Sequence, residues 1–130
     1  MKKSILTLSI VVVTMVSNLM ANEITQPTSV LNNELITNVE VSSFCKAVIQ
    51  GDVLTVKRLI VLGEDVNQKS IGMTPAMYAA RYNKSEVLSL LIKNGANLNM
   101  KSNQGFTVKR YAELSNAQEA LVIIEAALGS

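Results

Sequence analysis

The apolar residues of this chain follow two different patterns. Between Ile5 and Val16 they form a run without a charged residue, directly after Lys2 and Lys3. Further along they recur every three or four positions, the spacing that places side chains on one face of an α-helix. The sequence therefore predicts an apolar targeting segment at the start and amphipathic helices in the rest of the chain.

Several residues indicate where these helices begin and end. Thr74 is suited to cap a helix, because its hydroxyl can accept a hydrogen bond from a free N–H group of the first turn, and Pro75 follows where a missing N–H costs nothing. Ser43 is the expected cap of an earlier helix. A further helix is expected from about Ser85 to Gly95, a residue that readily adopts the left-handed conformation of a helix C-terminus.

The pattern repeats every 32 or 33 residues. A fixed period of this length indicates stacked units of two helices, stabilised mainly by contacts between neighbours. We expect three such units, at about residues 42–70, 71–102 and 103–130. The residue pairs that carry the period are Gly63 and Gly95, Asn67 and Asn99, Ala47 and Ala79, Thr74 and Thr107, Gly72 and Gly105, and Ala79 and Ala112.

The middle unit resembles an ankyrin repeat, and the resemblance extends from Ser42 to about Leu128. It implies an all-α solenoid of about three helix-turn-helix units joined by hairpin-like loops. The matching residues are Gly72, Thr74, Pro75, Ala79, Ala80, Val87, Leu90, Leu91, Gly95, Ala96 and Asn99.

Several positions depart from the family's pattern. Met77 stands where the family carries a histidine that links repeats, so Met77 is expected to pack instead. Ser70 and Ser102 stand near the usual aspartate of the loop. These changes are expected to affect the rigidity of the loops more than the fold.

Proteins that resemble this family bind other proteins through the loops and the exposed face of the first helix in each unit. The resemblance therefore implies a binding surface here, with Arg81, Tyr82 and Phe106 as anchors, because aromatic side chains and arginine dominate interface energetics. The alternative is that Ile71 and Phe106 pack into the stack and Tyr82 only shields a helix. The expected loop residues are Lys69, Ser70, Ile71, Met73, Lys101, Asn103, Gln104 and Phe106, and the expected helix residues are Ile49, Gln50, Arg81, Tyr82, Leu114 and Ser115.

Residues 1–21 have the layout of a secretory signal peptide, with two lysines, an apolar run of twelve residues and a small residue, Ala21. Twelve residues are short for a permanent span, so we expect cleavage after Ala21 and a periplasmic or secreted bacterial protein. The alternative is an uncleaved segment that anchors the chain to the inner membrane. No other membrane contact is expected. Residues 22–41 are interpreted as a linker with a possible N-terminal capping helix.

Composition argues against catalysis and against nucleic acid as a partner. The chain has no histidine, the usual general base and the commonest metal ligand. Its one cysteine, Cys45, can form neither an internal disulfide nor a cysteine-cluster zinc site. Loss of Lys2 and Lys3 with the signal peptide reduces 12 basic residues to 10, against 10 acidic residues. No cofactor or metal is expected, and no basic cluster indicates nucleic-acid binding.

The leading hypothesis is therefore a non-enzymatic module that binds one protein partner in the periplasm. It includes two alternatives: an inhibitor or immunity protein for an exported toxin, and an accessory protein to a periplasmic enzyme such as a haem or oxidative-stress enzyme. A redox or cofactor role through Cys45 is the least favoured hypothesis.

Overall fold

The structure, a computed structural model, describes residues 39–129. This range holds six helices and no β-strand, so the prediction of an all-α repeat solenoid is confirmed. The predicted signal peptide and nearly all of the predicted linker lie outside the described residues. The helices are α1 (Ser43–Gln50), α2 (Val53–Val61), α3 (Pro75–Arg81), α4 (Ser85–Lys93), α5 (Val108–Leu114) and α6 (Gln118–Ala127).

The helices pack in two rows. The first helices of the units, α1, α3 and α5, lie side by side in one row, and α2, α4 and α6 form the other. Within each unit the two helices also contact each other. The core runs between the rows, where Met77, Leu88, Leu91 and Ile124 are fully buried. Ala79 is fully buried as well, as its small side chain predicts for a helix that its neighbours approach closely.

The cap of α3 explains how Met77 replaces the family's histidine. The hydroxyl of Thr74 accepts a hydrogen bond from the Met77 N–H at 3.3 Å, and the Met77 sulfur accepts one from the Thr74 N–H at 3.4 Å. This reciprocal arrangement satisfies two donors at the start of the helix. The expectation that Met77 packs into the stack is confirmed, since its side chain has no exposed surface.

The cap of α1 differs from the prediction by one residue. Ser42, and not Ser43, occupies the N-cap, and its hydroxyl accepts a hydrogen bond from the Cys45 N–H at 3.2 Å. The Ser42 N–H itself donates to the hydroxyl of Ser70 at 2.8 Å. This contact with the first loop holds Ser42 in the N-cap position. The spacing of residues along the sequence could not indicate such a contact.

Each loop between units is closed by hydrogen bonds around a serine. In the first loop, backbone bonds of 2.9 and 3.2 Å join Ser70 and Met73 around a two-residue tip. In the second, the Ser102 N–H donates to the Phe106 carbonyl at 2.8 Å, and the Ser102 hydroxyl accepts from the Phe106 N–H at 3.1 Å. The Asn103 N–H donates to the carbonyl of Gly72 at 2.9 Å, so the two loops lie against each other.

Asparagine side chains link neighbouring units at other points of the stack. Asn67 donates to the Gly95 carbonyl at 3.1 Å and accepts from the Asn97 N–H at 2.8 Å. Asn83, whose φ is 52°, accepts from the Ala120 N–H at 3.1 Å. These bonds satisfy backbone groups at loop and helix ends, which would otherwise depend on water. No helix among the described residues is long and apolar enough to cross a membrane.

Candidate protein-binding surface

The loops and the first helices border a hollow of about 450 Å³, which we call the N-terminal hollow. It lies where α1, the first loop and the end of α3 meet, and the residues that these three elements contribute to its lining are mainly apolar. The second loop adds the amides of Asn103 and Gln104. The apolar lining residues are Val41, Ile49, Ile71, Met73, Tyr78 and Tyr82.

A second hollow of about 350 Å³, the C-terminal hollow, adjoins the first. Phe106, Leu114 and Ser115 line only this hollow, whereas Arg81, Gln104 and Tyr111 line both. The two hollows therefore form one continuous groove along the loops and the first-helix row, which is called the groove below.

The apolar side chains of the groove are partly open to solvent. Ile71 is 50% exposed, Tyr82 46%, Leu114 56% and Phe106 36%. Phe106 also packs edge to face against Tyr111, with 5.8 Å between ring centroids. Ile71 and Tyr82 thus do not pack fully into the stack, whereas Phe106 combines a packed edge with an exposed one.

The groove brings together ten of the fourteen residues predicted to bind a partner. Lys69, Ser70 and Lys101 are outside its lining, and Gln50 lines a separate hollow beside Asn83. The ten residues are Ile49, Ile71, Met73, Arg81, Tyr82, Asn103, Gln104, Phe106, Leu114 and Ser115.

Ser70 and Met73, two of the loop residues expected to bind a partner, are buried. Ser70 is 9% exposed because its backbone and hydroxyl both hold the loop, and its carbonyl accepts from the Tyr78 hydroxyl at 2.8 Å. Met73 is 7% exposed and contributes only to the lining of the N-terminal hollow. Both residues close the loop that places Ile71 at its tip.

Sequence reasoning missed three apolar residues of the groove: Val41, Tyr78 and Tyr111. Tyr78 and Tyr111 are 33 residues apart, so the repeat itself could have indicated them. Both are largely buried, yet each lines the groove with part of its ring. Val41 precedes the first helix and carries no comparable signal.

The charge that the described residues bring to the groove is positive. Of the described residues, Arg81 is the only charged one that lines either hollow. Its guanidinium carbon lies 5.7 Å from the centroid of the Tyr82 ring, close enough for a cation–π interaction. The ion pairs among residues 39–129 join Lys46 to Glu40, Lys109 to Glu125 and Arg110 to Glu113, so none of them involves Arg81.

Burial favours the neutral form of the one cysteine and of one tyrosine of the groove. Burial raises the pKa of the Cys45 thiol, so the neutral thiol, which is a poor nucleophile, predominates at neutral pH. Burial likewise raises the pKa of Tyr78, whose hydroxyl donates to a backbone carbonyl. Within the described part of the chain, no group of three acidic, cysteine or histidine side chains is placed to hold a metal ion.

Comparison with known proteins agrees with this architecture. A family model of ankyrin repeats matches residues 44–125 as three copies. The chain belongs to the ankyrin-repeat family. Ankyrin repeats are typically non-catalytic modules that bind other proteins. No curated protein matches this ankyrin-repeat chain significantly.

Two solved structures show the same stack. The human ASB11 ankyrin repeat domain is 25% identical with a TM-score of 0.62, over 66% of this chain and 39% of that one. A chain from the complex of the predatory endopeptidase Bd0816 from Bdellovibrio bacteriovorus with immunity protein Bd3460 is 31% identical with a TM-score of 0.62, over 68% of this chain and 47% of that one. This ankyrin-repeat chain thus spans less than half the length of either neighbour.

Proposed function

We propose that this chain is an exported, non-enzymatic binding module whose groove holds one protein partner. The groove itself carries the proposal, because it groups Ile71, Tyr82, Phe106 and Leu114 beside Arg81 in a continuous concave surface. Grouped apolar and aromatic side chains with a nearby arginine are typical of recognition surfaces. The hydrogen-bonded loops form before a partner arrives, so binding requires little further ordering.

The chemistry of the chain supports a binding role over a catalytic one. It has no histidine, and its only thiol is buried with a raised pKa. The chain therefore offers neither the histidine nor the reactive thiolate that nucleophilic catalysis most often uses.

Cross-linking of the protein in intact cells tests the proposal. We expect Tyr82→Asp combined with Phe106→Asp to abolish capture of the partner. The partner would cover two carboxylates at anchor positions, which weakens binding by about 100-fold or more. Leu54→Asp combined with Val122→Asp is the matched control, since these side chains are 76% and 68% exposed and line neither hollow. Equal capture by the groove variant and the wild-type protein, with both folded by circular dichroism, would show that the surface is wrongly assigned.

Export is the part of the proposal that rests on sequence alone. The charged start and the apolar run from Ile5 to Val16 support a cleavable signal peptide. Mass spectrometry of the protein from fractionated cells is expected to show a mature chain that begins at Asn22 in the periplasmic or secreted fraction. An intact chain in the membrane fraction would instead identify an uncleaved anchor.

A narrower candidate is an inhibitor or immunity protein for an exported peptidase. The likeness to a chain in the Bd0816 complex with immunity protein Bd3460 favours it. If this candidate is right, the captured partner is a hydrolase whose activity falls when an equimolar amount of this protein is added. An accessory protein would leave that activity unchanged or raise it.

A further inference from the structure

Arg81 is a cation that lines the groove and has no ion-pair partner in the described part of the chain. It lines both hollows, and the three ion pairs of residues 39–129 use other basic side chains. Its guanidinium carbon lies 5.7 Å from the centroid of the Tyr82 ring. Among residues 39–129, no acidic side chain lines either hollow.

This arrangement selects the charge of a ligand. A carboxylate placed between the two hollows meets a guanidinium that can bind it with two parallel hydrogen bonds. It meets no repelling acidic group, whereas a basic ligand side chain would lie against Arg81 and be disfavoured. The exposed amides of Asn103 and Gln104 offer hydrogen bonds to the backbone of an extended ligand.

The hollows on either side of Arg81 select the neighbours of that carboxylate. Ile71 and Tyr82 border the N-terminal hollow, and Phe106 and Leu114 border the C-terminal hollow. Both hollows present apolar surface that a ligand side chain would remove from water. The charged contact therefore lies between two apolar ones.

We propose that the groove recognises a segment of the partner protein in which an acidic side chain lies between apolar side chains. The carboxylate pairs with Arg81, one apolar side chain enters the N-terminal hollow beside Tyr82, and another enters the C-terminal hollow beside Phe106. This rests on the proposed function and names the chemistry of its partner.

Selection from a displayed library of short random peptides on the purified protein tests the proposal. We expect the enriched peptides to share an Asp or Glu with apolar residues on both sides. In fluorescence anisotropy, changing that acid to its amide is expected to weaken binding about tenfold, as is Arg81→Gln. The two changes together are expected to weaken binding no more than either alone. Arg58→Gln on the exposed side of α2 is the matched control, and it should leave the affinity unchanged.

The other outcomes separate this inference from the proposed function. Enriched peptides without an acid that lose binding on Tyr82→Asp would refute the acidic motif and leave the groove as the binding surface. Peptides insensitive to Arg81→Gln, Tyr82→Asp and Phe106→Asp would refute both. Failure to enrich any peptide would refute the peptide motif, and cross-linking would still decide the proposed function. Self-association that Tyr82→Asp abolishes would identify a second copy of the chain as the occupant and also refute the motif.

Discussion

Gly51→Asn is expected to stabilise the fold by supplying a bond that one unit has and its neighbour lacks. Asn83 accepts a hydrogen bond from the Ala120 N–H at 3.1 Å, near the start of α6. One repeat earlier, Gly51 and Val87 occupy the corresponding positions, and α4 begins without a side-chain cap. The hollow of about 240 Å³ that Gly51 and Val87 both line offers room for the missing side chain.

The expected gain is about 1 kcal/mol. A cap bond contributes about 1 kcal/mol, and replacing glycine restricts the unfolded chain by about 0.4–1 kcal/mol. Gly51 has a φ of 71°, which asparagine tolerates better than other residues do. A Cβ at this position would lie 3.1 Å from Cδ of Lys84, a flexible side chain whose shift costs a few tenths of a kcal/mol.

Urea denaturation of the wild-type protein, Gly51→Asn and Gly51→Ala measures this effect. The asparagine variant should unfold at a higher urea concentration with an unchanged slope, and its Tm should rise by about 4–8 °C. The alanine variant adds the same Cβ without an acceptor, so it should be less stable than wild type by about 1 kcal/mol, the cost of its left-handed backbone. If Gly51→Asn proves no more stable than Gly51→Ala, the inferred bond to Val87 does not form.

Three further predictions concern the stack. Asn67→Ala removes two hydrogen bonds between units and should lower the free energy of unfolding by about 1–2 kcal/mol. Asn67→Asp retains the acceptor and should cost less, so equal losses of stability in urea denaturation would contradict this account. Ala79→Leu should unfold the domain, seen as loss of helical circular dichroism, because the site has no exposed surface, and a folded variant would show that the neighbouring helices can separate. Burial raises the pKa of Cys45, so the wild type should lose stability relative to Cys45→Ala as pH rises above the unfolded thiol pKa of about 8.5. A difference in the free energy of unfolding between the two proteins that stays constant from pH 7 to 10 would exclude this linkage.

The sequence predicts the helices well because their signals are local or periodic. Thr74 and Pro75 mark the start of α3, and Ala79 marks a close approach through its size alone. Ser43 was wrongly chosen as a cap because two serines are adjacent there, and only contact with Ser70 in another loop selects Ser42.

Burial in the groove is harder to predict, because it depends on which unit lies beside a residue. Met73 and Phe106 occupy equivalent positions 33 residues apart, yet they are 7% and 36% exposed. The second loop lies against the first at Gly72, beside Met73, whereas the described residues contain no third loop that could lie against the second at Phe106. The repeat pattern treats the two positions as equal, and their order in the stack makes them different.

Most of helix α3 is buried in the stack, whereas its C-terminal end lines the groove. Its residues from Pro75 to Ala80 are all buried, so they hold the middle unit between its two neighbours. Arg81, the last residue of the helix, and Tyr82 directly after it are exposed and face the groove. Because exposed positions that make no core contact usually change stability by less than about 0.5 kcal/mol, substitutions at Arg81 and Tyr82 should alter partner binding without unfolding the stack. A loss of binding in these variants would therefore report on the groove, whereas the same loss at Ala79 would report only on the fold.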